Sequence, residues 1–127
     1  MDSKFISTKA HGALDYIVAL ALFFAPFIFG FQEVGGAAVL APMILGVGLF
    51  LYSLLTNYEW GLFKYINMPY HLIIDIVASV VLILSPFIFG FINEDPNAWA
   101  PHIIVGIVVL AVVLFSKTAP VNQTPRV

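Results

Sequence analysis

A chain of 127 residues is one domain's worth, and 61% of it is apolar while only 9% is charged, against roughly 45–50% and 25% in an average soluble domain. So few charges cannot coat a soluble globule, and five Lys/Arg against seven Asp/Glu, net −2, make no basic footprint for nucleic acid. The absence of cysteine removes disulfides, thiolate metal sites and thiol nucleophiles, and an integral membrane protein remains.

A bilayer core about 30 Å thick takes about 20 apolar helical residues. Four stretches meet that length. The first runs from about Gly12 to Phe31, interrupted by Asp15. The second runs from about Ala37 to Asn57 without a charge. The third, from about Leu72 to Ile92, is interrupted by Asp75, and the fourth, from about Ala98 to Ser116, carries His102 near its start. Alternation of polar and apolar residues is missing, so barrel strands are not expected. Gln32–Gly36 and Asn93–Asn97 are short polar connectors with turn residues. The middle connector, Tyr58–Tyr70, mixes Glu59 and Lys64 with Trp60, Phe63 and Tyr65, and reads as an interfacial segment.

With four spans, Lys4, Lys9, Lys64, Lys117 and Arg126 all fall on one side, and Glu33, Glu94 and Asp95 on the other. The positive-inside rule makes the basic side cytoplasmic, with both termini inside a prokaryotic cell membrane. Tyr58, Trp60, Tyr65 and Tyr70 would mark the inner interface. Phe27, Phe29, Phe31, Phe87, Phe89, Phe91 and Trp99 would mark the outer one.

The chain repeats itself. His11-Gly-Ala-Leu-Asp15 aligns with His71-Leu-Ile-Ile-Asp75, and Ala25-Pro-Phe-Ile-Phe-Gly-Phe31 with Ser85-Pro-Phe-Ile-Phe-Gly-Phe91. Ser7 and Asn67 are matching helix N-caps. Ala41-Pro42 aligns with Ala100-Pro101 and Gly46 with Gly106, which implies one residue of slippage in the outer loop. A first span that recurs as the third is structure, not a cleaved signal peptide. The expected fold is all-α and polytopic: four transmembrane helices as two parallel, non-inverted helical-hairpin repeats. Repeat one covers about residues 7–57, the connector 58–70, repeat two 67–116, and a short tail 117–127.

His-x3-Asp, about nine apolar residues, then (Ser/Ala)-Pro-aromatic and Gly-Phe resembles the SPW-repeat family of small bacterial and archaeal membrane proteins. The resemblance covers about Ser7 to Ser116, and Asn67-Met-Pro-Tyr-His71 is similar to the family's entry into its second unit. The signature Trp is Phe here, at Phe27 and Phe87, and the first Ser is Ala25. The resemblance implies a fold and a membrane, and no chemistry.

Charged groups inside spans are expensive and need a reason. His11 and Asp15 are four apart and share a helix face, as do His71 and Asp75. These faces should turn to the bundle interior at equal depth, where His11 can pair with Asp75 and His71 with Asp15. Three roles suit such a cluster: a polar fastening of spans one and three, a proton or cation site, or ligation of haem or a divalent metal by His11 and His71. No cofactor is required by the first. Ser79 and Ser85 lie too far from the His–Asp pair for a nucleophile, and no elbow or oxyanion pattern accompanies them, so no enzyme is expected. Pro26 and Pro86 should kink the outer ends of their helices. Gly46, Gly48 and Gly106 should permit close helix approach. His102, unmatched in the repeat, reads as interfacial. The partner implied is the lipid bilayer, with a homo-oligomer or other membrane proteins beside it. The role expected is a membrane scaffold or accessory subunit, with a pore or carrier for protons, cations or a small solute as the alternative.

Overall fold

The computed structural model describes residues 3–119; Arg126 and the tail beyond residue 119 lie outside the described residues. Four helices make up most of the described residues: α1 (Thr8–Ile28), α2 (Gly36–Leu54), α3 (Met68–Ile88) and α4 (Pro96–Leu114), with 3-10 turns at Gln32–Val34 and Phe91–Asn93. At 1.5 Å per residue each helix is about 30 Å long, the thickness of a hydrocarbon core. The bounds lie about four residues earlier than the apolar stretches at the start of α1 and α3. Ser7 explains the first: its hydroxyl accepts from the Ala10 amide at 3.0 Å, so the polar first turn is helical despite lying outside the apolar run. Pro26 and Pro86 are buried, and each helix continues only two residues beyond its proline. They sit in the last turn, next to Gly30 and Gly90, whose positive φ of 70° and 77° takes the chain out of the helix.

Each span is strongly apolar, yet only 22–39% of it is buried inside the protein. Ile17, Leu20, Phe24, Ile44, Leu51, Ile73, Val77 and Ile104 point outward from all four helices. Water would not tolerate such a surface; a bilayer does. The protein is a multi-pass membrane protein.

α1 packs on α2 and α3 on α4, while the two hairpins meet along a sparser seam. Glycine sets both tight contacts. A Cβ on Gly46 would lie 2.7 Å from the Ala19 carbonyl oxygen and 2.9 Å from the Phe23 amide nitrogen of α1. One on Gly106 would meet Ile83 at 2.5 Å and the Ser79 carbonyl oxygen at 2.9 Å. Gly48 differs from the expectation. It faces outward with nothing within 4 Å of where a Cβ would stand, because two residues along a helix turn a side chain to the far face. Gly46→Ala should therefore cost about 1–3 kcal/mol, since backbone atoms cannot move aside as a side chain can. Gly48→Ala should be neutral or stabilise by up to about 1 kcal/mol through helix propensity. Unfolding of the two variants in detergent checks the contrast, and equal effects would refute it.

The bounds of α3 repeat those of α1 sixty positions on, and α4 repeats α2 at the same offset. The one-residue slip expected from the prolines is thus absent. Ala38 with Ala98 and Gly46 with Gly106, all buried at interhelical contacts, hold the register. Pro42, not Met43, stands where His102 does. His102 is also not interfacial: it is 2% exposed, between the rings of Phe31 and Phe91, and its Nε2 donates to the Ala38 carbonyl at 3.1 Å. Phe31 and Phe91 are core residues rather than belt residues, whereas Phe27, Phe29, Phe87 and Phe89 do face outward.

At the opposite end the termini of the bundle are stitched together. The Ile6 amide donates to the Phe115 carbonyl at 2.9 Å, and the Lys117 amide to the Ile6 carbonyl at 2.8 Å. A like bridge joins Thr56 to Ile66. The connector between α2 and α3 turns one aromatic inward and leaves the others exposed. Tyr58 turns fully inward, while Trp60, Tyr65 and Tyr70 stay exposed. Trp60 Nε1 donates to the Lys9 carbonyl at 2.9 Å, and Tyr16 Oη to the Trp60 carbonyl at 2.8 Å, so the connector is tied to the start of α1.

Candidate functional site

The helical spacing of four places His11 one turn below Asp15 on α1 and His71 one turn below Asp75 on α3, and both faces turn to the seam between the hairpins. The four side chains form one buried quartet, no residue of it more than 7% exposed. Across the seam, His11 Nε2 lies 3.0 Å from Asp75 Oδ2, and His71 Nε2 lies 2.9 Å from Asp15 Oδ2. Along each helix, His11 Nε2 is 3.2 Å from Asp15 Oδ1, and His71 Nε2 is 3.3 Å from Asp75 Oδ2. Each imidazole therefore faces both carboxylates. The two rings sit edge to face, 5.3 Å between centroids.

The outer nitrogens of both rings are held by hydroxyls. His11 Nδ1 is 2.7 Å from Ser116 Oγ, and His71 Nδ1 is 2.6 Å from Thr56 Oγ1. Each hydroxyl already donates its own proton to a backbone carbonyl one turn back, Ser116 to Val112 at 2.6 Å and Thr56 to Tyr52 at 2.7 Å. A hydroxyl has one proton, so each must accept from the ring. Both Nδ1 atoms thus carry hydrogen, and both Nε2 atoms are directed at the carboxylates. His11 Nε2 completes a hydrogen bond to Asp75. His71 Nε2 completes none despite its two near oxygens, since neither lies in line with an N–H there.

Two tyrosines complete the carboxylates' shells. Tyr52 Oη donates to Asp75 Oδ1, and Tyr58 Oη donates to Asp15 Oδ2 at 2.8 Å. Both rings also pack on His71, at centroid distances of 4.9 and 5.4 Å. Burial, and then the Asp15 carboxylate beside it, push the Tyr58 phenol far above its usual range, so it stays a neutral donor. Ser79, buried one turn above Asp75, donates to the Asp75 backbone carbonyl at 2.6 Å and takes no part in the quartet. Ser85 likewise bonds its own helix, at the Val81 carbonyl.

Sequence reasoning missed Thr56, Ser116, Tyr52 and Tyr58. Thr56 and Ser116 lie sixty apart just beyond α2 and α4, so the repeat itself contained the signal. The tyrosines have no counterpart in the other repeat, where Val112 and Thr118 stand, and nothing in the pattern flagged them. Above the quartet, between the hairpins, lies a cavity of about 60 Å³. His11, Asp15, Tyr52 and Asp75 line its polar end, and Leu22, Leu49 and Leu82 are among the residues of its apolar part.

Comparison with curated proteins and with solved structures found no match. A family model described as the SPW repeat domain matches residues 9–116, a span that holds the whole quartet and both hydroxyls. Four apolar helices, a His-x3-Asp pair on the first and third, and this match agree, and the chain belongs to the SPW repeat family.

Proposed function

We propose that the protein is a small scaffold or accessory subunit of a prokaryotic cell membrane, its two hairpins clasped by the quartet. One observation carries this reading: all four charged or titratable side chains of α1 and α3 that enter the seam are turned onto one another across it. A carboxylate cannot be left to lipid, so separating the hairpins is opposed by the cost of exposing two of them. The remaining outer surface is apolar and free to meet lipid, a second copy or another membrane protein. The charge pattern supports both termini facing the cytoplasm, because Lys4, Lys9, Lys64 and Lys117 lie at one end of the bundle. The reading involves no catalytic step and no haem.

A proton or cation carrier using the same quartet is the second reading, favoured by the cavity that adjoins it. The variant Asp15→Asn/Asp75→Asn separates the two in proteoliposomes and in detergent. A scaffold predicts wild-type flux equal to that of empty vesicles, and a lowered melting temperature for the variant. Wild-type, pH-dependent flux that the folded variant loses would replace the scaffold by the carrier.

A further inference from the structure

We propose that the quartet is a binding site for one first-row divalent metal ion, of the zinc class, held by His11 Nε2, His71 Nε2 and one oxygen each of Asp15 and Asp75. The inference deepens the clasp reading and rests on it: the ion would be what the clasp closes around.

Size comes first. Zinc takes nitrogen and oxygen ligands at about 2.0–2.2 Å in a tetrahedron, whose ligand-to-ligand edges are then about 3.3–3.5 Å. The two imidazole nitrogens lie 3.0 and 3.3 Å from Asp75 Oδ2 and 3.2 and 2.9 Å from the two different oxygens of Asp15, and one donor atom from each of the four residues falls within 4.8 Å of the others. A small rearrangement of these side chains brings one donor from each to the required radius.

Orientation comes second. A histidine that binds metal through one nitrogen donates the other N–H to a fixed acceptor, which sets its tautomer and ring plane. Both rings do this through Nδ1, on Ser116 and Thr56. Tyr52 and Tyr58 hold the carboxylates in the same way. The outer shell of a metal site is thus present on all four donors.

An unmet bonding demand comes third. His71 Nε2 is wholly buried and aimed into the quartet, and it approaches Asp15 Oδ2 at 2.9 Å and Asp75 Oδ2 at 3.3 Å without hydrogen-bond geometry to either. Such an atom costs free energy unless something satisfies it, and a cation between the two carboxylates does. Charge agrees once ligation displaces the Nε2 protons, as metal binding requires: two carboxylates and two neutral imidazoles carry −2, which one divalent ion cancels inside an apolar bundle where a residual charge is not tolerated. Two imidazole nitrogens with two carboxylate oxygens favour zinc, cobalt, iron or manganese over magnesium and calcium, which prefer oxygen alone.

Full-length protein in detergent, stripped with a chelator, tests this with Co²⁺ as the probe. One equivalent should bind and give the intense visible bands of tetrahedral cobalt, Zn²⁺ should displace it, and Mg²⁺ should not. The melting temperature should rise on loading. Asp75→Asn should abolish the bands. Where that variant does not fold, Thr56→Val should retain the bands at an affinity weakened about 10–100-fold, as outer-shell losses do. No uptake of Co²⁺ or Zn²⁺ by the wild type overturns the metal site. If Asp75→Asn is nevertheless strongly destabilised, the clasp survives without an ion. If that variant is as stable as the wild type, the clasp falls as well. Unchanged cobalt binding by folded Asp75→Asn or by Thr56→Val places the ion elsewhere and also overturns the proposal.

Discussion

Asp75→Asn is expected to lower the unfolding free energy by about 3–5 kcal/mol, the range for removing one partner of a buried charged pair. An ordinary interhelical polar contact in a membrane contributes only about 0.6–2 kcal/mol. The larger figure applies because Asp75 serves three partners at once. It accepts from Tyr52 and His11 and lies 3.3 Å from His71. The substitution keeps the shape of the side chain and leaves buried imidazole nitrogens facing an amide. Glu94→Gln, on an exposed outer loop, is the control and should stay within about 0.5 kcal/mol of the wild type. Denaturing-detergent titration of both variants gives the comparison. A loss below about 1 kcal/mol for Asp75→Asn would reduce the quartet to an ordinary polar contact.

The second large effect belongs to Tyr58. Its side chain is among the largest that are fully buried, and it packs with Met68, Leu72 and Val113. Tyr58→Ala should cost about 3–5 kcal/mol, as removal of a buried aromatic ring does. Tyr58→Phe keeps the ring and removes only the donor to Asp15, so it should cost less, about 1.5–3 kcal/mol for a hydrogen bond to a charged group. The ratio separates packing from hydrogen bonding. If Tyr58→Phe is neutral, Asp15 does not depend on this donor; if it equals Tyr58→Ala, the ring contributes nothing. The connector's backbone adds to the effect, because Lys64 Nζ donates to the Tyr58 carbonyl at 2.5 Å and holds the turn around it.

These two residues also show what can be read from the chain. Asp75 was legible because two signals coincide. A carboxylate inside an apolar span must face protein, and the offset of sixty supplies a matching His–Asp pair for it to face. The four helices were legible from apolar length alone. Tyr58 was not, because an aromatic residue beside a span is usually a belt residue; only the fold shows that the turn after α2 carries it beneath the bundle. His102 was misplaced for a related reason. Matching the two prolines shifts α4 by one residue, which turns a side chain by about 100° and moves a core histidine to the surface. Small residues are the better guide to register here, since Ala38, Ala98, Gly46 and Gly106 make the contacts that cannot shift. Gly48 marks the limit of composition as a guide: it resembles Gly46 in the sequence, yet a Cβ there would meet no neighbouring helix.

That the quartet joins the two hairpins is tested most directly by a double-mutant cycle across the seam. His11 belongs to the first hairpin and Asp75 to the second, 3.0 Å apart. Unfolding free energies of His11→Gln, Asp75→Asn and the double variant give their coupling, free of each variant's private losses. The clasp predicts a coupling towards the upper end of about 0.5–3 kcal/mol, the double variant being much less destabilised than the sum of the single ones. Additivity within about 0.3–0.5 kcal/mol, the behaviour of independent sites, would contradict it.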